Sequence, residues 1–248
     1  MAYEDLFPSK GDYDFNDLVI RTNGARTVDS EGNVLAFTFE FRIVAVGAGL
    51  HNGFALLLDT PPSNVKSVRI TRDGNTYEAG FVEPGHQTET VLHLFSSARD
   101  EMAPFQVNKY QFVQTLPGSE SVNSPIYRIE VEFHQGFKQA APYNPFIFRK
   151  DERGRETHLV GGRPSSFADP SYFQTSDDNS DATTNSYYVA KSGLPWGLLL
   201  PGEWKHPTER TDIRQAYPQF ERWFISGGQS DQDWYQNPVP SMVWTPTP

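Results

Sequence analysis

The chain has 248 residues, no cysteine and a formal net charge of −10 at pH 7. This length is enough to bury a substantial core without disulfide bonds, and the lack of cysteine excludes thiolate chemistry, including zinc sites with cysteine ligands. The negative charge disfavours nucleic acid and anionic lipid as partners, whereas it favours divalent cations wherever carboxylates converge.

The sequence also bears on membrane insertion and export. No apolar run approaches the roughly 18 residues that a membrane span needs, and no basic segment followed by an apolar one opens the chain as in a signal peptide. We therefore expect no membrane insertion by this segment. We also expect it to be part of a longer chain, exported by signals outside the segment.

The first half of the chain has the alternation of β-strands. In residues 35–46, Phe37, Phe39, Phe41 and Ile43 alternate with polar side chains, which is the period of a strand with one buried face. Residues 127–134 repeat this pattern. Shorter strand-like runs, separated by turn residues, lie at 54–58, 65–71, 76–81, 88–95 and 109–116. Short strands at this spacing predict a mainly β fold, an antiparallel, jelly-roll-like β-sandwich.

The second half of the chain differs from the first in amino-acid composition. Residues 142–210 are rich in Pro, Gly, Ser and Asp, yet they carry too many aromatic residues for a disordered linker. We expect long ordered loops packed on the strand-rich core of residues 1–141. Residues 211–228 have one apolar helical stripe, which Pro218 should kink or restart, so one or two short helices are predicted near the C-terminus. With a C-terminal segment at 229–248, the chain is predicted to form a single domain, residues 1–248.

The most specific local pattern lies close to the start of the chain. Asp12, Asp14 and Asn16 occupy alternate positions, and Asp17 follows. Ca²⁺ takes about 6–8 oxygen ligands, so this spacing predicts a calcium site. It is not an EF-hand, because Asp17 stands where that loop needs glycine and Asn23 where it needs a bidentate glutamate. The alternative is a solvated turn rich in Asp and Asn that caps a strand.

Further acidic residues are candidates for the same ion. Asp177, Asp178 and Asp181 form a second cluster, which becomes a ligand set if its loop folds back onto the first cluster and is otherwise an exposed polar loop. Glu4 and Asp5 lie just upstream of the first loop and are weaker metal candidates.

A third polar group combines both charges. Arg155, Glu156 and His158 either form a ligand-binding pocket, in which the arginine presents a fork to a carboxylate, or make an ordinary surface salt-bridge cluster. The histidines show no spacing typical of a zinc protease, and no nucleophile or phosphate-loop motif is present, so we predict no catalytic residues. The five tryptophans could stack on sugar rings, although buried anchors are the commoner use of this residue.

The chain resembles a known bacterial family along nearly its whole length. The blocks that carry the resemblance lie at 3–17, 153–159, 175–180, 194–196, 212–213, 216–218, 223 and 233–235. They are similar to the LruC domain family, which overlaps a domain of unknown function numbered 4842. The resemblance implies an exported or surface protein of Gram-negative bacteria, with no established enzymatic activity. It gives added weight to Arg155, His158, Asp177 and Asp178, which stand where that family's motifs have them.

Together these features predict a calcium-binding, non-catalytic, extracellular ligand-binding or adhesion module of a larger bacterial surface protein. The expected ligand is an extracellular glycan, peptide or protein. Two alternatives stay open, namely a calcium-rigidified structural cap or stalk domain and a carbohydrate-active enzyme that uses two of the acidic residues.

Overall fold

The computed structural model describes residues 1–106 and 108–246, which form two antiparallel β-sheets. With strands numbered in chain order, the larger sheet contains, in spatial order, β12 (Gly197–Leu198), β1 (Ala2–Tyr3), β2 (Leu18–Val28), β3 (Val34–Ala45), β9 (Tyr127–Phe137), β5 (Val65–Arg72) and β6 (Asn75–Thr76). The smaller sheet contains β11 (Glu152–His158), β10 (Pro145–Arg149), β4 (Asn52–Leu58), β8 (Thr90–Phe95) and β7 (Phe81–Val82). The predicted mainly β, antiparallel fold is confirmed.

The alternating residues of β3 build the core between the sheets. Phe37, Phe39, Phe41 and Ile43 are all at most 4% exposed and share one apolar cluster with residues of β9, β4 and β8. Phe41 stacks on Tyr127 of β9 at a centroid distance of 4.6 Å. The period of 2 in the sequence thus places one face of β3 against the opposite sheet.

The central strands of the smaller sheet are buried on both of their faces. Every residue of β4 is buried, and side chains of β4, β8 and β10 form a second apolar cluster, made by Ala55, Leu57, Val91, Phe146 and Phe148. Strands β10 and β11 fall inside the region predicted as long loops. A strand buried on both faces reads as a continuous apolar run without alternation, so the pattern did not reveal β10.

Other predicted strands are shorter than expected. Residues 109–116 contain only an isolated bridge between Val113 and Val46. The run at 76–81 is divided between the ends of β6 and β7, with a turn between them in which the Gly80 N–H donates to the Tyr77 carbonyl.

The predicted C-terminal helix is present as two short pieces. Helix α1 (Ala98–Glu101) precedes them in the chain, and α2 (Ile213–Ala216) and α3 (Phe220–Ile225) lie on either side of Pro218, which cannot donate a helical hydrogen bond. Asp212 caps α2 by accepting a hydrogen bond from the Arg214 N–H. Short 3₁₀ turns occupy Pro62–Asn64, Ala103–Phe105, Pro170–Tyr172, Trp234–Gln236 and Pro240–Met242.

A separate apolar core joins these helices to the start of the chain. Ile213, Ala216 and Phe220 pack with Tyr13 and Phe15 of the acidic loop in one buried cluster, which also contains Trp234. This core fixes the position of the acidic loop relative to α2 and α3.

The loops of the second half are ordered by their aromatic residues. Trp196 and Tyr188 are fully buried and pack with Phe7. Trp196 and Trp234 therefore serve as buried anchors rather than exposed sugar platforms. Throughout residues 1–106 and 108–246, no helix combines the length and the apolar character needed to cross a membrane.

Candidate metal site

The acidic loop connects β1 to β2 and is shaped by its aromatic residues. Tyr13 and Phe15 have left-handed backbone conformations, with φ of 59° and 51°, and both side chains are buried in the helical core. Such values are uncommon for residues other than glycine. The buried side chains of Tyr13 and Phe15 hold the loop in a compact conformation. The polar residues that alternate with them, Asp12, Asp14 and Asn16, lie close together.

Three carboxylates of this curl converge. Glu4, Asp12 and Asp14 each offer an oxygen, and these oxygens all lie within 4.8 Å of one another. Glu4 and Asp14 are buried, whereas Asp12 is exposed to solvent. The prediction that Asp12 and Asp14 act together is consistent with this geometry, and Glu4, a weaker candidate from the sequence, is a full member of the cluster.

Backbone N–H groups fix the orientation of the two buried carboxylates. Glu4 Oε1 accepts from the Phe15 N–H at 2.6 Å. Asp14 Oδ1 accepts from the Asn16 N–H at 3.0 Å, and Asp14 Oδ2 accepts from the Arg210 N–H at 2.7 Å. The carboxylates are thus held in place before any ion binds.

Three buried oxygens at the site have no hydrogen-bond partner among the residues that the structure describes. They are Glu4 Oε2, Asn16 Oδ1 and Glu209 Oε2. The amide of Asn16 is oriented by its Nδ2, which donates to the Pro207 carbonyl at 3.1 Å, and its Oδ1 lies beside Gly47. A buried acceptor without a partner costs about 1–3 kcal/mol, so such an atom implies a water or an ion at that place.

Two glycines leave the space beside these oxygens open. A Cβ at Gly47 would lie 1.9 Å from Asn16 Oδ1 and 3.0 Å from Glu209 Oε2. A Cβ at Gly11 would lie 2.3 Å from Glu4 Oε2. Any larger residue at either position would push against a candidate ligand atom.

The electrostatics of the cluster are unbalanced. Burial, together with Asp14 and Asp12, raises the pKa of Glu4 well above its ordinary value. Burial and then Asp12 raise the pKa of Asp14 to about 8. Burial and Asp12 likewise raise the pKa of Glu209 to about 7. A divalent cation among these carboxylates would supply the missing positive charge.

Asp5 and Asp17 lie beside the cluster but use their oxygens within the protein. Asp17 Oδ2 accepts from the Asp5 N–H at 2.8 Å, and Asp5 Oδ2 accepts from Asn52 Nδ2 at 2.6 Å. Burial, followed by the charges of Asp5 and Glu4, raises the pKa of Asp17 well above its usual range. These two residues therefore surround the convergent oxygens and add negative charge to the site.

Two residues of the second acidic cluster, Asp177 and Asp178, have different roles. The loop of this cluster does fold back onto the first one, because the Lys10 N–H donates to Asp177 Oδ2 at 3.0 Å and the Asp177 N–H donates to the Pro8 carbonyl at 3.1 Å. Asp178 instead accepts from the Gln174 N–H and the Ser180 hydroxyl. Asp177 thus lines the same cavity as Glu4, Asp12 and Glu209, while Asp178 is used inside its own loop.

Asp181 also bonds locally. Its Oδ1 accepts from both the N–H and the hydroxyl of Thr183, at 2.9 Å and 2.7 Å. These are the bonds of a turn cap.

The residues of the third predicted group lie on opposite sides of β11, with Arg155 on one side and Glu156 and His158 on the other. Arg155 donates to the Phe7 carbonyl at 2.6 Å and to the Leu6 carbonyl at 3.2 Å, so it fixes the segment that follows Glu4. Glu156 and His158 are buried and bond to each other at 3.0 Å. The three side chains therefore do not share one pocket in this arrangement.

Glu156 is the centre of a buried ionic network. It accepts from Arg153 Nη1 at 2.5 Å and from the Ser165 N–H at 2.9 Å, in addition to His158. Although burial opposes it, the bonds to His158 and Arg153 lower the pKa of Glu156 to about 2. All of these partners are protein groups, which is typical of a structural network.

Glu209 is the site residue that sequence reasoning missed. It lies in the run His206-Pro207-Thr208-Glu209-Arg210, far from the acidic loop in sequence and outside any motif. A single glutamate in a loop carries no spacing signal. Only the fold, which brings this loop against residues 12–16, reveals the relationship.

Comparison with known proteins places the fold among solved structures. The crystal structure of a "Putative lipoprotein" from Bacteroides ovatus matches with a TM-score of 0.69 and 20% sequence identity, over 98% of this chain and 74% of that one. At this identity the likeness concerns the fold. No curated protein matches the chain.

The sequence itself matches one family model, described as Domain of unknown function (DUF4842), over residues 32–235. That range includes Glu209 and begins after the acidic loop at 12–17. Since the match covers most of the chain, this protein belongs to the DUF4842 family.

Proposed function

We propose that this protein is a calcium-binding, non-catalytic module of an exported bacterial protein. The observation that carries the proposal is the pair of buried, unpartnered oxygens, Glu4 Oε2 and Asn16 Oδ1, together with the convergence of the Glu4, Asp12 and Asp14 carboxylates. A buried polar atom of this kind requires a partner, and three converging carboxylates favour a cationic one.

The donor set selects the class of ion. Glu4, Asp12 and Asp14 offer carboxylate oxygens and Asn16 offers an amide oxygen, which are the hard ligands that Ca²⁺ and Mg²⁺ prefer over zinc or copper. Ca²⁺ accepts an irregular shell of about 6–8 oxygens, whereas Mg²⁺ demands near-octahedral geometry and keeps several waters. A crowded shell built from a curled loop suits the larger ion.

The exposure of Asp12 bears on what the ion does. Because this ligand is open to solvent while Glu4 and Asp14 are buried, one side of the bound ion would face outward. Coordination positions on that side can take oxygens of an extracellular glycan or of a peptide carboxylate. This favours a ligand-binding or adhesion role over a purely structural cap.

The finer family identity and the location belong to the same proposal. The acidic loop is among the blocks that resemble the LruC domain, which is typical of surface proteins. The similar fold of a protein described as a lipoprotein is consistent with export. We therefore propose an extracellular or cell-surface location.

Calorimetric titration of the metal-free protein tests the proposal. We expect one saturable binding event with CaCl₂ and a weaker one with MgCl₂. We also expect calcium to raise the melting temperature and EDTA to reverse that rise. Absence of both heat and thermal shift with calcium would refute the proposal. A glycan and peptide array probed in calcium and then in EDTA tests the ligand-binding part, for which calcium-dependent capture is expected.

A further inference from the structure

Glu209 has the properties of a metal ligand in its own right. Its Oε2 is buried and has no hydrogen-bond partner in the described part of the chain, and it lies over Gly47 beside the unpartnered Oδ1 of Asn16. Within residues 1–106 and 108–246, no lysine or arginine forms an ion pair with Glu209. The Thr115 hydroxyl and the positive charge of Arg210 lie near this carboxylate, but neither group forms a hydrogen bond to Oε2.

The backbone on both sides of Glu209 is firmly docked. The Glu209 N–H donates to the Thr115 carbonyl at 3.0 Å. The next N–H, of Arg210, donates to Asp14 Oδ2 at 2.7 Å. The carboxylate is therefore presented to the cluster by a fixed main chain, as a ligand must be.

The segment that carries Glu209 leads directly into α2 and α3. We call residues 206–225 the helical unit. Besides the Asp14–Arg210 bond, it meets the acidic loop where Asn16 Nδ2 donates to the Pro207 carbonyl at 3.1 Å and where the Ile213 N–H donates to the Tyr13 carbonyl at 2.8 Å. The metal cluster thus lies at the seam between the helical unit and the start of the sandwich.

We propose that Glu209 is a further ligand of the divalent cation, and that the bound cation latches the helical unit onto the β-sandwich. This inference rests on the proposed calcium site and extends it. Glu4, Asp12, Asp14 and Asn16 come from one end of the chain and Glu209 from the other. An ion shared by both sets bridges the seam directly, whereas an ion held by the acidic loop alone acts on the helical unit only through the three hydrogen bonds between them.

A charge-neutral substitution tests the ligand role. Glu209→Gln keeps the size of the side chain and removes its charge. We expect it to weaken Ca²⁺ binding, measured by calorimetry, on the order of tenfold or more, since calcium affinity follows the charge and number of its ligands. The matched control is Glu203→Gln in the same segment, where the glutamate is 86% exposed and pairs only with Arg21 at 3.3 Å. This control should bind calcium like the wild type.

Hydrogen exchange on the wild-type protein tests the latch independently of any substitution. Amides of residues 206–225 should be more protected in calcium than in EDTA, while those of the central strand β3 should change little. In Glu209→Gln, the calcium-dependent protection of 206–225 should be lost.

The outcomes separate the two proposals. If the wild-type protein does not bind calcium, the proposed function fails and this inference fails with it. If wild type and Glu209→Gln bind calcium equally, the calcium site stands and Glu209 is a protonated carboxylic acid that does not bind the ion. If calcium leaves the exchange of 206–225 unchanged in the wild type, the latch is refuted even where binding is strong.

Discussion

The carboxylate of Asp14 accepts a 2.7 Å hydrogen bond from the backbone N–H of Arg210, a residue almost at the other end of the chain. This bond places the loop that carries Glu209 beside the acidic loop. The same contact brings the unpartnered oxygens of Asn16 and Glu209 to one place, over Gly47.

Asp14→Asn should lower stability in calcium much more than in EDTA. Asparagine keeps an acceptor for only one of the two N–H groups that Asp14 binds, those of Asn16 and Arg210, so part of the stability is lost in both buffers. The removal of a charged ligand adds to this loss in calcium alone. Calcium at about 100 Kd stabilises a protein by about 2.7 kcal/mol, or roughly 5–10 °C in melting temperature at this chain length. Most of that shift should disappear in the variant, as measured by thermal unfolding with CaCl₂ and with EDTA.

The control for Asp14→Asn is Asp29→Asn. Asp29 also caps a turn through its carboxylate, accepting from the Glu31 and Asn33 N–H groups, but it lies in the hairpin between β2 and β3. Its substitution should have the same small effect in both buffers. An equal loss of stability for Asp14→Asn in calcium and EDTA would identify Asp14 as a turn residue instead of a ligand.

Gly47→Ala should block the ion. The added methyl group would lie 1.9 Å from Asn16 Oδ1, so this oxygen would have to turn away from the cluster. We expect calcium affinity, measured by calorimetry, to fall on the order of tenfold or more. In Gly49→Ala, where nothing lies within 4 Å of the new atom, affinity should be unchanged. Equal affinities in the two variants would place the ion elsewhere.

The stability of the metal-free protein should fall as the pH rises from about 6.5 to 8.5. Burial and neighbouring carboxylates raise the pKa of Asp14 to about 8 and that of Glu209 to about 7. An acid whose pKa is raised on folding stabilises the folded state while it is protonated, and this contribution is lost as the pH rises through the folded pKa. Melting temperatures in EDTA across this range should therefore decrease.

In calcium the same pH series should be flat or rising, because the ion replaces the protons. His93 and His206 are already neutral in this range, since burial lowers the pKa of each to about 4. Burial also lowers the pKa of the Met1 amine to about 5, which gives an opposite trend that is present in both buffers. A pH dependence of the melting temperature that is the same in EDTA and in calcium would contradict the charge crowding at the site.

Glu156→Gln should destabilise the fold without changing calcium affinity. The substitution leaves Arg153 and His158 without their shared buried carboxylate. Breaking a buried ion pair costs about 3–5 kcal/mol when the remaining charge is left unpaired. Because Arg153 keeps its pair with Glu83, we expect a smaller loss, about 1–3 kcal/mol. Denaturant unfolding in EDTA measures the loss, and calorimetry under native conditions checks that the affinity is retained. Weaker calcium binding at full stability would instead assign Glu156 to the metal site.

The sequence predicted secondary structure best where a single physical constraint determined the local pattern of residues. The strict alternation from Phe37 to Ile43 predicted β3, and Pro218 marked the break between α2 and α3. Strand β10 was missed because both of its faces are buried, which removes the alternation on which the prediction relied.

In the candidate site too, the residues with a local sequence pattern were predicted and the residue without such a pattern was not. Spacing alone singled out Asp12, Asp14 and Asn16, since neighbouring ligands in one loop leave a local pattern. Asp178 and Glu209 show the limit of such reasoning. The first is an acidic residue that bonds within its own loop, and the second is a lone glutamate brought in by tertiary structure. Whether a carboxylate meets a distant loop depends on packing that no local window contains.

The pairing of Asp14 with Arg210 also bears on the order of folding. It closes a loop of 196 residues, and contacts of such high sequence separation form late because their loop-closure entropy must be met first. The sandwich between the two residues shortens the effective loop once it has formed. A site assembled from both ends is then complete only in a chain whose sheets are already in place, so ion binding would distinguish fully folded molecules from partly folded ones.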